Sequence, residues 1–352
     1  MTIRHLVHWY EQYERRISAA SLVTGFVVDS LTLQRIDALR ENFWIAGNLI
    51  VAAVCIAVLN RGGAGGRKHF WFSNGLQFAF GALLGSIFVF YFRSATVSAA
   101  WPFLLVLLFA IVGNEIYQKR YQRIAFQLSF LYFSLFSFSI FLVPLLVGQI
   151  GPEVFLLSGL VSVFFIWIYL SLLKSLAKER FLEERTGIKF FITAIFIGVN
   201  ILYFTNLIPP IPLSMKDAGI YHSVSRAGTD YLVTEEKRPF WRFFDRDNIR
   251  WIPGEKLIAY TAIFAPGSLD TDIVHSWQYK NERGEWVTAT RTPLHLSGGR
   301  SGGFRTYSGK ENFTPGEWRL DVETSHGQLI GRVKFEIEVS QMAPDLVTVI
   351  KK

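Results

Sequence analysis

The sequence has 352 residues, of which 51% are hydrophobic, 16% aromatic and 18% charged. Soluble domains carry about 25% charged residues, so this composition excludes a wholly soluble protein. The formal net charge is +8, and residues 1–207 hold 17 basic and 10 acidic side chains against 19 and 18 in residues 208–352. Because the excess positive charge lies in the apolar part, nucleic-acid binding is not expected. The single cysteine, Cys55, excludes a disulfide framework and a cysteine-based metal cluster within one chain.

The apolar residues fall into stretches long enough to cross a bilayer, which takes about 20 residues. Six stretches are clear, and they cover residues 42–60, 75–92, 96–117, 125–147, 153–174 and 188–207. A weaker seventh stretch, residues 17–36, is interrupted by Asp29. The polar start of the chain lacks the short apolar core of a cleavable signal. The sequence therefore predicts a transmembrane bundle of six or seven helices over residues 1–207.

Basic residues mark alternate loops of this predicted bundle. They are Arg61, Arg67, Lys68, Lys119, Arg120, Arg123, Lys174, Lys178, Arg180, Arg185 and Lys189. They lie in three loops, at residues 61–68, 119–123 and 174–189. Cytoplasmic loops collect Lys and Arg, so these three loops are predicted to be cytoplasmic and the C-terminal domain is predicted to be extracytoplasmic. Seven spans would leave the basic N-terminus in the cytoplasm, which we favour, whereas six would place it outside. We expect a multi-pass protein of the plasma (inner) membrane.

The composition changes after the proline-rich stretch at residues 208–214. Three prolines there cannot continue a helix, so we expect a linker and juxtamembrane segment over residues 208–249. Short runs with strand character then cover residues 256–265, 272–280, 285–296, 304–308, 317–324 and 328–339. In one of them Trp318, Leu320 and Val322 alternate with charged residues, as in a strand with one buried face and one solvent-exposed face. We predict an immunoglobulin-like β-sandwich over residues 250–340 and a tail over 341–352.

Several short motifs give the chain a family resemblance. They are His275-x-Trp277, Phe304–Ser308, Gly316-x-Trp318, Gly327 and Val333–Val339, with Phe26-x-x-Asp29-x-Leu31-Thr32 and Arg35-Ile36-Asp37 in the membrane part. In these features the chain resembles an uncharacterised bacterial multi-pass membrane family that ends in domain of unknown function 2914. The resemblance covers most of the chain and implies its architecture, but it implies no activity.

One candidate site lies at the start of the bundle and consists of Asp29, Arg35, Asp37 and Arg40. An ionised side chain inside a membrane span costs at least about 2.5–3.5 kcal/mol, so such residues must pair or face protein or water. On a helix, Asp29 and Arg40 would share a face, and Asp37 and Arg40 would be neighbours. The cluster is either a polar site near the outer end of the bundle or an interfacial group of salt bridges.

A second candidate site lies in the predicted β domain. Its residues are His275, Trp277, Arg291, Arg305, Tyr307 and Ser308, next to a glycine-rich loop at residues 297–303. Aromatic, Arg and His side chains on one sheet face would bind a glycan or an acidic group by stacking and hydrogen bonds. The alternative is structural: the tryptophan would then belong to the core and the arginine would pair with a carboxylate.

No motif of a known catalytic class accompanies these residues. Ser308 lacks the G-x-S-x-G context of a hydrolase nucleophile, and the histidines do not form H-E-x-x-H, so we expect no metal and no cofactor. We favour a non-enzymatic protein whose outer β domain binds an envelope glycan or a membrane or periplasmic protein. The alternative is a membrane enzyme or transporter with a polar site between the outer helix ends and the β domain. Gly81 and Gly85 form a G-x-x-x-G pair, which would suit a homo-oligomer or packing within the bundle.

Overall fold

The structure of the protein is a computed structural model that describes residues 39–61, 67–94, 97–116, 123–237, 247–267, 269–299 and 302–351. The weak span predicted at residues 17–36 lies outside the described residues, as do Asp29, Arg35 and Asp37. The chain forms two compact units, and we describe each by itself. One is helical, and the other is built of strands from Pro209 onward together with Ser94–Ala99 and Val147–Gly151.

Seven helices are described before residue 205, and most of them follow the predicted apolar stretches. They are α1 Leu39–Asn60, α2 Arg67–Ser94, α3 Val97–Ile116, α4 Ile124–Val147, α5 Pro152–Leu176, α6 Lys178–Glu183 and α7 Arg185–Phe204. Five of them, α1, α2, α4, α5 and α7, contain segments long and apolar enough to cross a membrane. Helix α3 coincides with the predicted third span, but its apolar part, Trp101–Val112, is shorter.

Aromatic packing and a few buried polar contacts hold the helical unit together. The ring of Tyr91 in α2 lies 4.6 Å from those of Phe103 in α3 and Phe141 in α4. The side-chain amide of Asn60 in α1 donates to Oε1 of Gln127 in α4 at 2.7 Å. This interhelical hydrogen bond pairs the buried amide nitrogen of Asn60 with the buried amide oxygen of Gln127.

The β unit contains eleven described strands in three sheets. The strands are β1 Ser214–Tyr221, β2 Ser223–Ala227, β3 Asp230–Glu236, β4 Asp247–Trp251, β5 Leu257–Phe264, β6 Asp270–Lys280, β7 Trp286–Ser297, β8 Phe304–Lys310, β9 Gly316–Thr324, β10 Leu329–Val339 and β11 Leu346–Lys351. A large sheet has the order β4-β10-β9-β6-β7, a central sheet β1-β5-β8, and a small sheet β11-β3-β2. All pairs are antiparallel except β4 with β10.

Strand β5 places the central sheet between the other two, because its side chains alternate between two cores. Leu257, Ala259 and Ile263 pack with residues of the large sheet in the main core. Tyr260 and Ala262 pack with side chains of the small sheet in a second core. The β unit therefore has three layers, and the immunoglobulin-like sandwich that we predicted is not confirmed.

The domain boundaries also differ from the prediction. Residues 208–249, expected to be a linker, contain β1, β2, β3 and the start of β4, and the expected tail at 341–352 contains β11. Strand β11 pairs with β3, so that Lys351 lies opposite Tyr231. Strands this short show little alternation, and a pairing between residues more than one hundred positions apart leaves no local signal in the sequence.

Candidate functional site

The structure separates the six predicted site residues of the β domain into an interior group and two surfaces. His275, Trp277 and Ser308 are buried between the large and central sheets, and the His275 and Trp277 side chains are 0% exposed. The predicted site required these three residues to lie on an accessible sheet face, and they do not. The shared face of His275 and Trp277 was predicted correctly, but alternation alone did not indicate that this face points inward.

The buried group forms a continuous chain of hydrogen bonds across the core. The indole N–H of Trp277 donates to Oγ of Ser308 at 3.1 Å, and that Oγ lies 2.8 Å from Nδ1 of His275. Nε2 of His275 lies 3.0 Å from Oγ1 of Thr261, which in turn lies 2.8 Å from Oγ1 of Thr306. With a neutral imidazole that accepts at Nδ1 and donates at Nε2, Ser308 donates to His275, His275 donates to Thr261 and Thr261 donates to Thr306, so each contact has one donor and one acceptor.

This environment determines the protonation of His275. Burial lowers the pKa of His275 to about 4, since its hydrogen-bond partners are hydroxyls that bring no negative charge. The contact between Ser308 and His275 resembles a nucleophile and its base, but both side chains are buried. No substrate carbonyl could reach Ser308 without opening the core, so we assign the pair a structural role.

Arg305 and Tyr307 project from β8 on the side of the central sheet that faces the small sheet. The Arg305 guanidinium lies 5.8 Å from the ring centroid of Tyr231 and donates through Nη1 to the carbonyl of Thr229 at 2.7 Å. Tyr307 is 52% exposed, and its ring centroid lies 6.5 Å from that of Tyr231. We call Tyr231, Arg305 and Tyr307 the tyrosine patch. Its arginine is fixed in place, while one aromatic ring is free to contact a ligand.

The glycine-rich loop ends directly before the tyrosine patch. Gly303 has a φ of +92°, a left-handed conformation that favours glycine, and a Cβ there would lie 3.0 Å from the β5 backbone. The loop thus needs glycine where it approaches β5 and enters β8. This requirement fixes the start of the strand that carries Arg305, so the glycine has a structural function in positioning the tyrosine patch.

Arg291 lies elsewhere, on the outward face of the large sheet. Its Nη2 donates to Glu323 at 3.3 Å. On the neighbouring strands, Arg332 forms a bidentate salt bridge with Asp321 at 2.5 and 2.6 Å. The Arg319 guanidinium stacks 4.4 Å from the ring centroid of Trp286. We call this surface the arginine face; it consists of Trp286, Arg291, Arg319, Asp321, Glu323, Arg332 and Lys334.

Of the arginine face, only Arg291 was predicted from the sequence as a site residue. The available signal was the solvent-exposed face predicted for residues 317–324, on which Arg319, Asp321 and Glu323 alternate with core residues. The register brings Arg332 opposite Asp321, and Asp321 opposite Ser276. Such pairing across strands depends on the fold and cannot be read from one strand. Burial raises the pKa of the Glu323 carboxyl, although nearby Arg291 opposes the shift.

The remaining polar groups form neither a metal site nor a complete membrane cluster among the residues that the structure describes. Among the residues that the structure describes, no group of three or more His, Cys, Asp or Glu could hold a metal ion. His295 contacts Asp270 at 3.0 Å and Asp272 at 3.1 Å on an exposed edge, and the hydrogen bond with Asp272 raises its pKa. Of the predicted membrane cluster only Arg40 is described, and it is exposed at the start of α1.

Comparisons with known proteins place part of the β unit in a domain family. Residues 270–337 match the family described as "Protein of unknown function (DUF2914)". No curated protein matches the chain. Among solved structures, a β-glucosidase from Listeria innocua in complex with isofagomine is 13% identical with a TM-score of 0.20, and the match covers 32% of this chain and 16% of the glucosidase chain.

A second solved structure resembles a larger part of the chain. The Pseudomonas fluorescens alkylpurine DNA glycosylase AlkC, bound to DNA containing an abasic site analog, is 10% identical over 85% of this chain and 98% of its own, with a TM-score of 0.20. At these TM-scores neither likeness defines a fold or a function for this chain. The family match is more informative, since it spans most of the strands from β6 to β10 and contains the whole arginine face: the β unit contains a DUF2914 domain.

Proposed function

We propose that this chain is a multi-pass protein of the plasma membrane whose extracytoplasmic β unit binds an envelope glycan without catalysing a reaction. Five long apolar helices support the membrane assignment. Helices α5 and α7 also expose large apolar side chains, among them Trp167 and Phe190, which suit hydrocarbon better than water. The basic loops support an outward-facing β unit, since Lys and Arg collect on the cytoplasmic side.

The observation that carries the glycan proposal is the exposed ring of Tyr307 beside a fixed arginine. A sugar ring presents C–H groups on its faces and hydroxyls at its edge. An exposed tyrosine ring can contact the face, while the Arg305 guanidinium can donate to the hydroxyls. Because Arg305 is already held by Thr229 and Tyr231, little conformational entropy would be lost when a ligand binds.

The test is co-sedimentation of the full-length protein, purified in detergent micelles, with insoluble peptidoglycan sacculi. We expect Tyr307→Ala to weaken binding about tenfold, a loss typical of a central aromatic contact. Because the Tyr307 ring is largely exposed, this change should leave the fold intact. Arg305→Lys keeps the charge but removes the planar, two-pronged donor, so it should also weaken binding.

The matched control is Met342→Ala, which removes an apolar side chain that is 80% exposed. It should bind sacculi as the wild type does. Wild-type binding that is unaffected by Tyr307→Ala, or lost equally in Met342→Ala, would contradict the assignment of the tyrosine patch. Absence of wild-type binding to sacculi would contradict a peptidoglycan ligand and favour a protein partner.

A further inference from the structure

The arginine face carries more positive than negative charge at its centre. Its basic members, Arg291, Arg319, Arg332 and Lys334, outnumber its carboxylates, Asp321 and Glu323. In the row above, Lys280 pairs with Glu317 at 3.1 Å, so that carboxylate already has a cation of its own. That row also holds Glu336, opposite Glu317, so the excess of positive charge is confined to the central rows of Arg319, Arg332 and Lys334.

Arg319 shares its carboxylate partner with another arginine. Its Nε and Nη2 donate to the neutral amide oxygen of Gln278 at 2.8 and 2.7 Å. Its nearest carboxylate is Asp321, whose Oδ2 lies 3.5 Å away and also accepts from Arg332. Lys334 lies directly opposite Arg319 on β10, and like charges in such a pair repel one another.

Partial burial raises the free-energy cost of the positive charge on Arg319 and Arg332. The side chains of Arg319 and Arg332 are only 16% and 22% exposed, and that of Asp321 is 4% exposed. Burial lowers the pKa of Arg319, and nearby Arg332 acts in the same direction, although the Asp321 and Glu323 carboxylates oppose the shift. Two largely buried arginines that share one carboxylate leave a net positive charge, which is destabilising away from water, and a bound anion would offset it.

We propose that the arginine face binds an oxyanion, the carboxylate or phosphate of an acidic envelope ligand, with Arg319 at its centre. The guanidinium is oriented in advance by Gln278 and by the Trp286 ring, so that its remaining donors can meet an oxyanion with little rearrangement. An envelope ligand requires the outward-facing β unit of the proposed function, but the arginine face lies on the side of the main core opposite to the tyrosine patch, so that the two binding tests can fail separately.

The test is isothermal titration calorimetry of the full-length protein in neutral detergent with two probes, inorganic pyrophosphate and an oligogalacturonate. We expect Arg319→Gln to weaken binding of the preferred probe about tenfold, and Lys334→Gln to weaken it by a smaller factor. Wild-type binding should also weaken as salt rises, because exposed charges are screened. Repeating the titration in phosphatidylglycerol nanodiscs separates two sources of phosphate: competition assigns the site to lipid headgroups, and undiminished binding assigns it to a soluble ligand.

The matched control is Lys256→Gln, which removes the same charge at an exposed position 4.0 Å from Glu311. Equal weakening in Lys256→Gln and Arg319→Gln would show unspecific attraction and overturn the proposal. The proposal would also be overturned if neither probe bound the wild type more tightly than it binds Arg319→Gln. A thermal melt identifies any unfolding of Arg319→Gln; in that case the exposed Lys334→Gln variant decides, and an affinity equal to wild type would overturn the proposal.

Discussion

At the scale of single residues, the main core of the β unit contains an imidazole where an aliphatic side chain would avoid desolvation. His275 is tolerated because each of its nitrogens lies within 3.0 Å of a hydroxyl, Thr261 on one side and Ser308 on the other. The chain of donors starts at the Trp277 indole, which can only donate. Removing one member would leave a buried polar atom without a partner, which costs about 1–3 kcal/mol.

We predict that acid destabilises the β unit through His275. The pKa of His275 is about 4 in the folded state and about 6.5 when unfolded, so between these values only the unfolded state binds the proton. The free energy of unfolding should therefore be unaffected above pH 6.5 and fall as the pH decreases to about 4. At pH 5 the loss should be about 2 kcal/mol. Urea denaturation of the full-length protein in micelles, followed by tryptophan fluorescence, measures it.

The control for this prediction is His275→Gln, whose amide can also accept and donate but does not titrate. This variant should be less stable than wild type at pH 7.5, while losing about 2 kcal/mol less between pH 7.5 and pH 5. Other titrating groups contribute equally to both proteins, so the difference isolates His275. Parallel pH curves for the two proteins would rule out an uncharged, buried imidazole at this position.

At the scale of elements, the short helix α6 and the residue after it connect the ends of two long helices. Arg180 extends Nη1 to the carbonyl of Leu59 and to Oδ1 of Asn60, both at 3.5 Å, at the C-terminus of α1. Glu184 accepts from the backbone N–H of Ala125 at 2.9 Å, in the first turn of α4. Each charge has the sign that its helix end stabilises.

Replacing Glu184 should therefore loosen the start of α4. We expect Glu184→Ala to destabilise the full-length protein by about 1 kcal/mol, since it removes both a cap and a favourable charge. Glu184→Gln should cost less, because the amide oxygen still accepts from Ala125. The neighbouring Glu183 is exposed, and Glu183→Ala is the matched control. Thermal melts in detergent would contradict this assignment if both alanine variants lost equal stability.

Elements with strong local patterns were the predictable part of the fold. The six strands predicted from residue 256 onward coincide with β5 to β10 to within two residues, because each has alternation or a bounding turn. The early strands β1 to β4 and the strand β11 were missed. Strands β1, β4 and β11 pair with partners distant in the sequence, whereas β2 and β3 form a local hairpin that was not recognised. The candidate site was less predictable: both faces of β6 are largely buried, so its sequence could not indicate which face would meet a ligand.

At the scale of the whole molecule, the two units differ in the surface that they expose. The helices expose leucine, phenylalanine and tryptophan side chains, whereas the large sheet carries pairs of opposite charge such as Lys280 with Glu317 and Arg291 with Glu323. An apolar surface of this kind suits lipid, and a charged sheet face suits water. This contrast was already visible in the sequence as a change of composition near residue 208, because solvent preference depends on residue type more than on long-range pairing.

The proposed orientation can be tested with single cysteines, because Cys55 is the only cysteine of the chain. In a Cys55→Ser background, Glu282→Cys places a thiol in the exposed turn after β6, and Glu179→Cys places one on α6, in a basic loop. A maleimide that cannot cross membranes should label position 282 in intact spheroplasts, and position 179 only after permeabilisation. We expect the basic loop on the cytoplasmic side, because moving its Lys and Arg residues across the bilayer is unfavourable. The opposite labelling pattern would place the β unit in the cytoplasm, where neither the tyrosine patch nor the arginine face could meet an envelope ligand.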